Sequence, residues 1–295
     1  MTRVAAVDLG TNSTRLLVAD VSDGRVDEVV RRSVVTRLGE GVDARRRLLP
    51  EPVARVRNVL VDFRREIEEL GAERTLAVAT SAVRDAENGE AFLGEVEWSY
   101  GFSTRLLSGN EEAELTRRGV GATQPGSLLL DVGGGSTELS TTEFRTSLDV
   151  GSVRLTERFL HSDPPADGEL AAASAALNEL LPELEVARAV GVAGTVGQLA
   201  ALAERTTLTL SEVGRLTAEL AALPLEQRRR LPRLDPNRAP VIVAGALIVR
   251  DVLLRYGLDR IEFSVRDLLD GAALEAAALP AAAEGAAPPE AYTCC

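Results

Sequence analysis

Over the first forty positions apolar residues come in short runs and alternations, a pattern that predicts strands at 3–9, 15–21 and 26–37 arranged as a meander. A loop rich in Gly and Arg follows at 38–50. The period then lengthens, and Val53, Val56, Val59, Leu60, Phe63 and Ile67 fall on one face of a helix over 51–70. A buried strand at 75–80, a helix from about Ser81, a short strand at 103–107 and a helix over 110–119 complete this half. The pattern then restarts. Strands are expected near 127–132, 136–142 and 145–150, and helices near 152–160, 169–183, 195–205 and 211–222, with a strand at 188–193 ahead of the third helix. A helix at 238–256, a strand at 260–264 and a helix at 267–278 close the order. A meander followed by alternating helices and strands, used twice, predicts two related α/β domains, 1–122 and 123–278, with a cleft between them. The last helix is expected to pack back on the first domain. The Ala- and Pro-rich stretch 279–295 is expected to be disordered.

Each half opens on a glycine turn anchored by an acid: Asp8-Leu9-Gly10-Thr11-Asn12-Ser13 behind the run Val4 to Val7, and Asp131-Val132-Gly133-Gly134-Gly135-Ser136-Thr137-Glu138 behind Leu128 to Leu130. Glycines let the backbone approach a ligand closely, and successive N–H groups can converge on an anion. The hydroxyls of Thr11, Ser13, Ser136 and Thr137 add donors. An Asp repels bare phosphate but suits a hydrated divalent cation that bridges to one. Either turn alone also fits a plain β-hairpin. The repetition, with an acid and hydroxyls in both copies, favours phosphate binding.

Composition removes competing chemistries. The 295 residues are 45% hydrophobic, enough for two cored domains. No stretch approaches the ~20 apolar residues of a membrane span, and the N-terminus enters a strand directly instead of a secretion signal, so a cytoplasmic protein without a membrane partner is expected. Cys294 and Cys295, the only cysteines, match no disulfide or zinc pattern. All 33 basic residues are arginine, which excludes a P-loop lysine and a Schiff base. The single histidine, His161, sits in a polar turn with no nucleophile motif nearby. A net charge of −12 argues against a broad nucleic-acid surface. The runs Arg45–Arg47 and Arg228–Arg230 fit either a solvated face or a basic rim for a polyanion.

Three ordered motifs carry a resemblance: the first turn with Arg15-Leu16-Leu17, then Ser108-Gly109-Asn110-Glu111-Glu112-Ala113, then the second turn. With Gly151-Ser152-Val153-Arg154-Leu155-Thr156, Gly194-Thr195 and Arg238-Ala239-Pro240-Val241-Ile242 it covers nearly all of 3–278. The chain resembles the short, two-domain form of the exopolyphosphatase and guanosine pentaphosphate phosphohydrolase (Ppx/GppA) family. The resemblance implies two actin-like, ribonuclease-H-like domains and hydrolysis of a terminal phosphoanhydride by in-line attack of water.

The resemblance also assigns roles. It makes Glu112 the catalytic base or water-positioner, although Glu111 and Glu112 also suit the first turn of any helix. It gives Arg84, in Thr80-Ser81-Ala82-Val83-Arg84, a phosphate contact for which a guanidinium fork is well shaped. Asp131 and Glu138, with Asp8 as the equivalent acid of the first turn, are the implied holders of Mg²⁺ or another divalent cation such as Mn²⁺. Glu138 also fits an outward-facing strand residue. Gly10, Thr11, Asn12, Ser13, Gly133, Gly134, Gly135, Ser136 and Thr137 would bind phosphate; Arg15 would do so or pair with a surface acid. Gly194 and Thr195 open a helix and fit either an anion site or an ordinary turn. The family often carries Leu-Arg-Glu-Gly where this chain has Leu268-Leu269-Asp270-Gly271. The expected activity is exopolyphosphatase; guanosine pentaphosphate hydrolysis, or binding of polyphosphate or a guanosine tetra- or pentaphosphate without turnover, are the alternatives. A homodimer is implied by the resemblance.

Overall fold

The computed structural model describes residues 1–280, and in it the chain forms two sheets. In the first, β1 (Thr2–Leu9), β2 (Ser13–Ser22) and β3 (Arg25–Val35) form an antiparallel meander, while β4 (Arg74–Ala79) and β5 (Ser103–Leu106) add in parallel, giving the order β3-β2-β1-β4-β5. Helices α1 (Val42–Arg45) and α2 (Pro50–Glu69) precede β4, α3 (Ser81–Arg84) and α4 (Gly89–Tyr100) precede β5, and α5 (Gly109–Val120) follows it. The second sheet repeats the plan. β6 (Ser127–Val132), β7 (Thr137–Ser140) and β8 (Arg145–Leu148) form the meander, and β9 (Arg188–Val192) lies parallel to β6. β10 (Thr207–Thr209) and β11 (Arg260–Phe263) complete the order β10-β11-β9-β6-β7-β8, with β11 parallel to β9 and β10 antiparallel on the edge. Around it lie α6 (Ser152–Phe159), α7 (Asp167–Leu180), α8 (Ala193–Ala203), α9 (Leu210–Ala222), α10 (Leu225–Arg228) and α11 (Ile242–Arg255), and α12 (Leu268–Ala278) ends the order.

β1 reads as a continuous apolar run because both its faces are covered. One face, with Ala5, Val7 and Leu9, packs in a core with Val56, Leu60, Phe63 and Ile67 of α2. The other, with Val4 and Ala6, shares a core with Leu268, Leu269, Ala272, Ala273 and Ala276 of α12. The last helix therefore returns to the first sheet, leaving the second around its own core, through which the buried α11 runs. Leu279 packs against the α12 core, and the remainder of the expected tail, 281–295 with both cysteines, lies outside the described residues.

Some boundaries differ from the sequence reading. The helix from Ser81 stops at Arg84 and a new one starts at Gly89, whose hydrogen faces Val83 O where a Cβ would collide. The helix expected from 238 starts at Ile242, after a run of turns around Pro240, and the one expected to reach 183 ends at Leu180, just before Pro182. The pieces β10, α1 and α10 are only three or four residues long, too short to show a period.

Candidate active site

The two glycine turns have the same local construction. Gly10 N–H donates to Ser13 O at 3.1 Å, and Gly133 N–H donates to Ser136 O at 3.0 Å. They close on each other across the cleft. A Cβ on Gly134 would stand 3.0 Å from Thr11 Cβ, and one on Gly135 would strike Ser81 Oγ, so only glycine lets the turns meet. Together with Thr80, Ser152, Ala193, Gly194 and Thr195 they line a cleft of about 570 Å³ including its open mouth. Ala193 takes φ +59° between β9 and α8, a left-handed conformation that costs a non-glycine residue roughly 1–2 kcal/mol. This kink sits at the point where the α8 N-terminus meets the cleft.

The turns differ in charge. Asp8 is in register with Arg15, and Asp131 is in register with Glu138. Arg15 Nε donates to Asp8 Oδ2 at 2.8 Å and Arg15 Nη1 pairs with Asp267, so the first acid has a cation against it. Asp131 faces a like charge instead. Burial pushes Asp131 well above the ordinary carboxylate range, with Glu138 adding to the effect and Arg15 opposing it. Glu138 is 2% exposed, so it faces inward; burial pushes it up to about 7 against the hydrogen bond from Ser147 Oγ at 2.6 Å. The Asp8 carboxyl is also raised by burial, with Arg15 opposing.

The helix motif resolves into two jobs. Glu111 closes a capping box with Ser108: its Oε2 accepts from Ser108 N at 2.8 Å and Oγ at 2.7 Å, while Oε1 accepts from Arg105. Those bonds hold it down to about 2, the Ser108 hydroxyl contributing most. Glu111 is thus a structural cap. Glu112, one residue on, is 7% exposed and lines the cleft, and its Oε2 has no hydrogen-bond partner. Burial, then Glu138 and Asp131, push it well above the ordinary range, and Arg84 opposes them.

Not every expected residue reaches the cleft. Arg84 Nη1 donates to Leu107 O at 2.7 Å and stands 3.5 Å from Glu112 Oε2, behind the acid rather than in the cleft wall. The Thr137 hydroxyl donates to Val150 O at 2.6 Å, so its only proton is spent within the fold; Thr195 Oγ1 donates to Val132 O at 2.9 Å in the same way. Thr11 keeps its proton, because its oxygen accepts from Ala82 N at 3.2 Å. Arg15 is paired, but inside the site and not on the surface.

Arg238 is a site residue that had no role in the reading of the sequence. Its side chain is 15% exposed, covers Gly194 and lines the cleft, with Nη2 3.2 Å from Ser13 Oγ and 3.3 Å from Ser33 Oγ. Its nearest carboxylate, Asp235, is 4.0 Å away. Burial, with Arg15 repelling it, pulls its ionisation below the usual arginine range. A buried guanidinium short of a counter-ion is ready for an anion. Only its Arg-Ala-Pro context marked it in the sequence.

Buried oxygens without a protein partner test the fit to a divalent cation. Asp8 Oδ1, Glu112 Oε2 and Glu138 Oε2 are such atoms. Among the described residues no three acids, histidines or cysteines close a metal cage. The acids present thus make no closed protein cage and suit only a cation held by one or two carboxylates plus water and substrate phosphate.

Comparison with known proteins gives this geometry its lineage. The chain is 39% identical to Exopolyphosphatase 2 of Mycobacterium tuberculosis, over 94% of this chain and 99% of that protein. A Ppx/GppA phosphatase of Aquifex aeolicus superposes with a TM-score of 0.73 at 30% identity, covering 94% and 99% of the two chains. An exopolyphosphatase of Cytophaga hutchinsonii superposes with a TM-score of 0.83 at 25% identity, covering 92% and 96%. The two α/β sheets with their helices are thus the fold of solved Ppx/GppA phosphatases and exopolyphosphatases. A model of the Ppx/GppA phosphatase family matches residues 17–277, and the chain belongs to that family.

Proposed function

We propose that this chain is an exopolyphosphatase, hydrolysing the terminal phosphoanhydride of inorganic polyphosphate and releasing orthophosphate. The observation that carries the reading is Glu112, a buried carboxylate on the wall of a cleft lined by two glycine turns, with an oxygen that has no hydrogen-bond partner. Water adds its oxygen to the terminal phosphorus and gives one proton to the Glu112 carboxylate, while the bridging P–O bond breaks and the shortened chain leaves with the bridging oxygen. The backbone N–H groups of the turns and of the α8 N-terminus, with Arg15 and Arg238, meet the phosphoryl oxygens. Asp131 and Glu138 would hold a divalent cation, Mg²⁺ or Mn²⁺, with Asp8 reaching it through water. Bound there, it supplies positive charge against those acids and against the phosphate. Arg84 keeps the Glu112 carboxylate oriented from behind.

A second reading, hydrolysis of guanosine pentaphosphate, is favoured by the groove next to Arg238 and Gly194, where Phe263 and the exposed Val265 offer apolar surface to a base. A homodimer, which would extend the cleft along a polyanion, and a cytoplasmic location are part of the proposal. Among the described residues no helix is long and apolar enough to cross a membrane. The deciding assay measures phosphate release from long polyphosphate and from guanosine pentaphosphate with Mg²⁺. Release from polyphosphate that Glu112→Gln abolishes supports the first reading, and release from the nucleotide alone replaces it with the second.

A further inference from the structure

Asp267 stands where the chain returns to the first sheet, and it is held from several sides. Its N–H donates to Asp270 Oδ2 at 3.0 Å, its Oδ1 accepts from Leu269 N at 2.9 Å, and its carbonyl lies against Gly119 of α5, where a Cβ would collide. The helices α5 and α12 meet again at Gly271, which leaves room for Leu115 O. The residue is 5% exposed. Arg31 Nη1 stands 3.4 Å from Oδ1 and its Nη2 donates to Asp270 Oδ2 at 2.9 Å, while the remaining oxygen, Oδ2, takes Arg15 Nη1.

Arg15 is therefore fixed twice, at Nε by Asp8 and at Nη1 by Asp267. A guanidinium is planar and rigid, so two fixed nitrogens set the direction of the third. Nη2 has no protein acceptor among the described residues, and the side chain lines the cleft. Without Asp267, rotation about the Nε–Asp8 contact is open.

We propose that Asp267 is a positioning residue for Arg15, aiming its Nη2 at the phosphoryl oxygens, and that α12 thereby sets the spacing between this arginine and Glu112 on α5. The kinetic part rests on the hydrolase reading above; the orientation of Arg15 does not. Two measurements on the full chain separate them. In arginine side-chain NMR, with the Arg15 signal identified by its loss in Arg15→Lys, the protected guanidinium protons of the wild type are expected to become fast-exchanging in Asp267→Asn and to persist in Arg31→Gln. An unchanged Arg15 signal in Asp267→Asn overturns the proposal. In steady-state kinetics, Asp267→Asn is expected to lower kcat about tenfold or more with KM within about threefold, because misaiming a clamp costs rate rather than binding. The same substitution on Arg15→Gln should change kcat less than about twofold. Equal losses in both backgrounds overturn the proposal. Asp267→Ser, which keeps an oxygen for Leu269 but is too short for Arg15, should behave as Asp267→Asn and guards against a folding artefact. A wild type that turns over neither substrate condemns the hydrolase reading, and the NMR result still decides the role of Asp267.

Discussion

Replacing Glu112 with glutamine should cripple the enzyme and steady the protein. The acid is 7% exposed, its Oε2 has no hydrogen-bond partner, and its strongest charged neighbours, Glu138 and Asp131, share its sign. The amide has the same shape and cannot take a proton from water. Loss of a general base costs about 10²–10⁴-fold, or roughly 3–5.5 kcal/mol of transition-state stabilisation at about 1.4 kcal/mol per tenfold. The fold gains at the same time, because a buried, repelled carboxylate is exchanged for a neutral group. Phosphate release from polyphosphate, measured beside thermal melting without metal, should show kcat down at least a hundredfold and Tm equal to or above the wild type at pH 8. A kcat within tenfold of the wild type refutes the assignment of Glu112. A matching fall in Tm would trace the loss to the fold instead.

The buried acids also set a pH dependence. Glu112, Asp131 and Glu138 are all raised in the folded state, Glu138 to about 7, so the native protein binds more protons than the unfolded chain and its stability falls as pH rises through that window. Each group contributes at most about 1.4 kcal/mol per pH unit, so Tm in EDTA should drop between pH 5 and 8, and Mg²⁺ should reduce the drop by neutralising Asp131 and Glu138; a metal-free Tm that climbs over this range contradicts the electrostatics. Gly135→Ala puts a methyl into Ser81 Oγ and close to Thr11 Oγ1 at 2.9 Å, and should cost about 1–3 kcal/mol in denaturant melts together with kcat/KM. Arg154, 8% exposed, joins α6 to Asp43 at 3.3 Å, to Asp85 and to Ser81 Oγ at 3.2 Å, so Arg154→Ala takes the cation from a half-buried Asp85 while Asp43 keeps Arg158 at 2.6 Å, and should lower stability by about 1–3 kcal/mol; a change under about 0.5 kcal/mol would show these contacts to be dispensable.

The element order and both glycine turns were legible because each is a local signal: a period of two or 3.6, or glycines behind an apolar run. The choice of Glu112 came from the resemblance alone; the capping box that gives Glu111 its separate job, with Ser108 three residues before it, was not read. What charge each acid meets was not legible. Arg15 and Asp267 are 252 residues apart, and nothing local to either foretells the pair. Arg238 belongs to the same class, as it reaches the cleft only because α8 and β2 arrive beside it. Thr137 was misjudged for a smaller reason: the turn ends at Ser136, and the next hydroxyl points into the fold, onto Val150 O.

The return of α12 to the first sheet has a mechanical meaning. The chain passes from one sheet to the other twice, once between α5 and β6 and once between β11 and α12. A single linker would act as a swivel, free to twist. Two crossings that lie side by side, Gly119 of α5 against Asp267 O, resist that twist. The first crossing carries Gly121 and Gly126 at positive φ, and the second carries Asp267. Tied at two places, the facing turns are held in one register, which a reaction dependent on in-line geometry requires at every turnover.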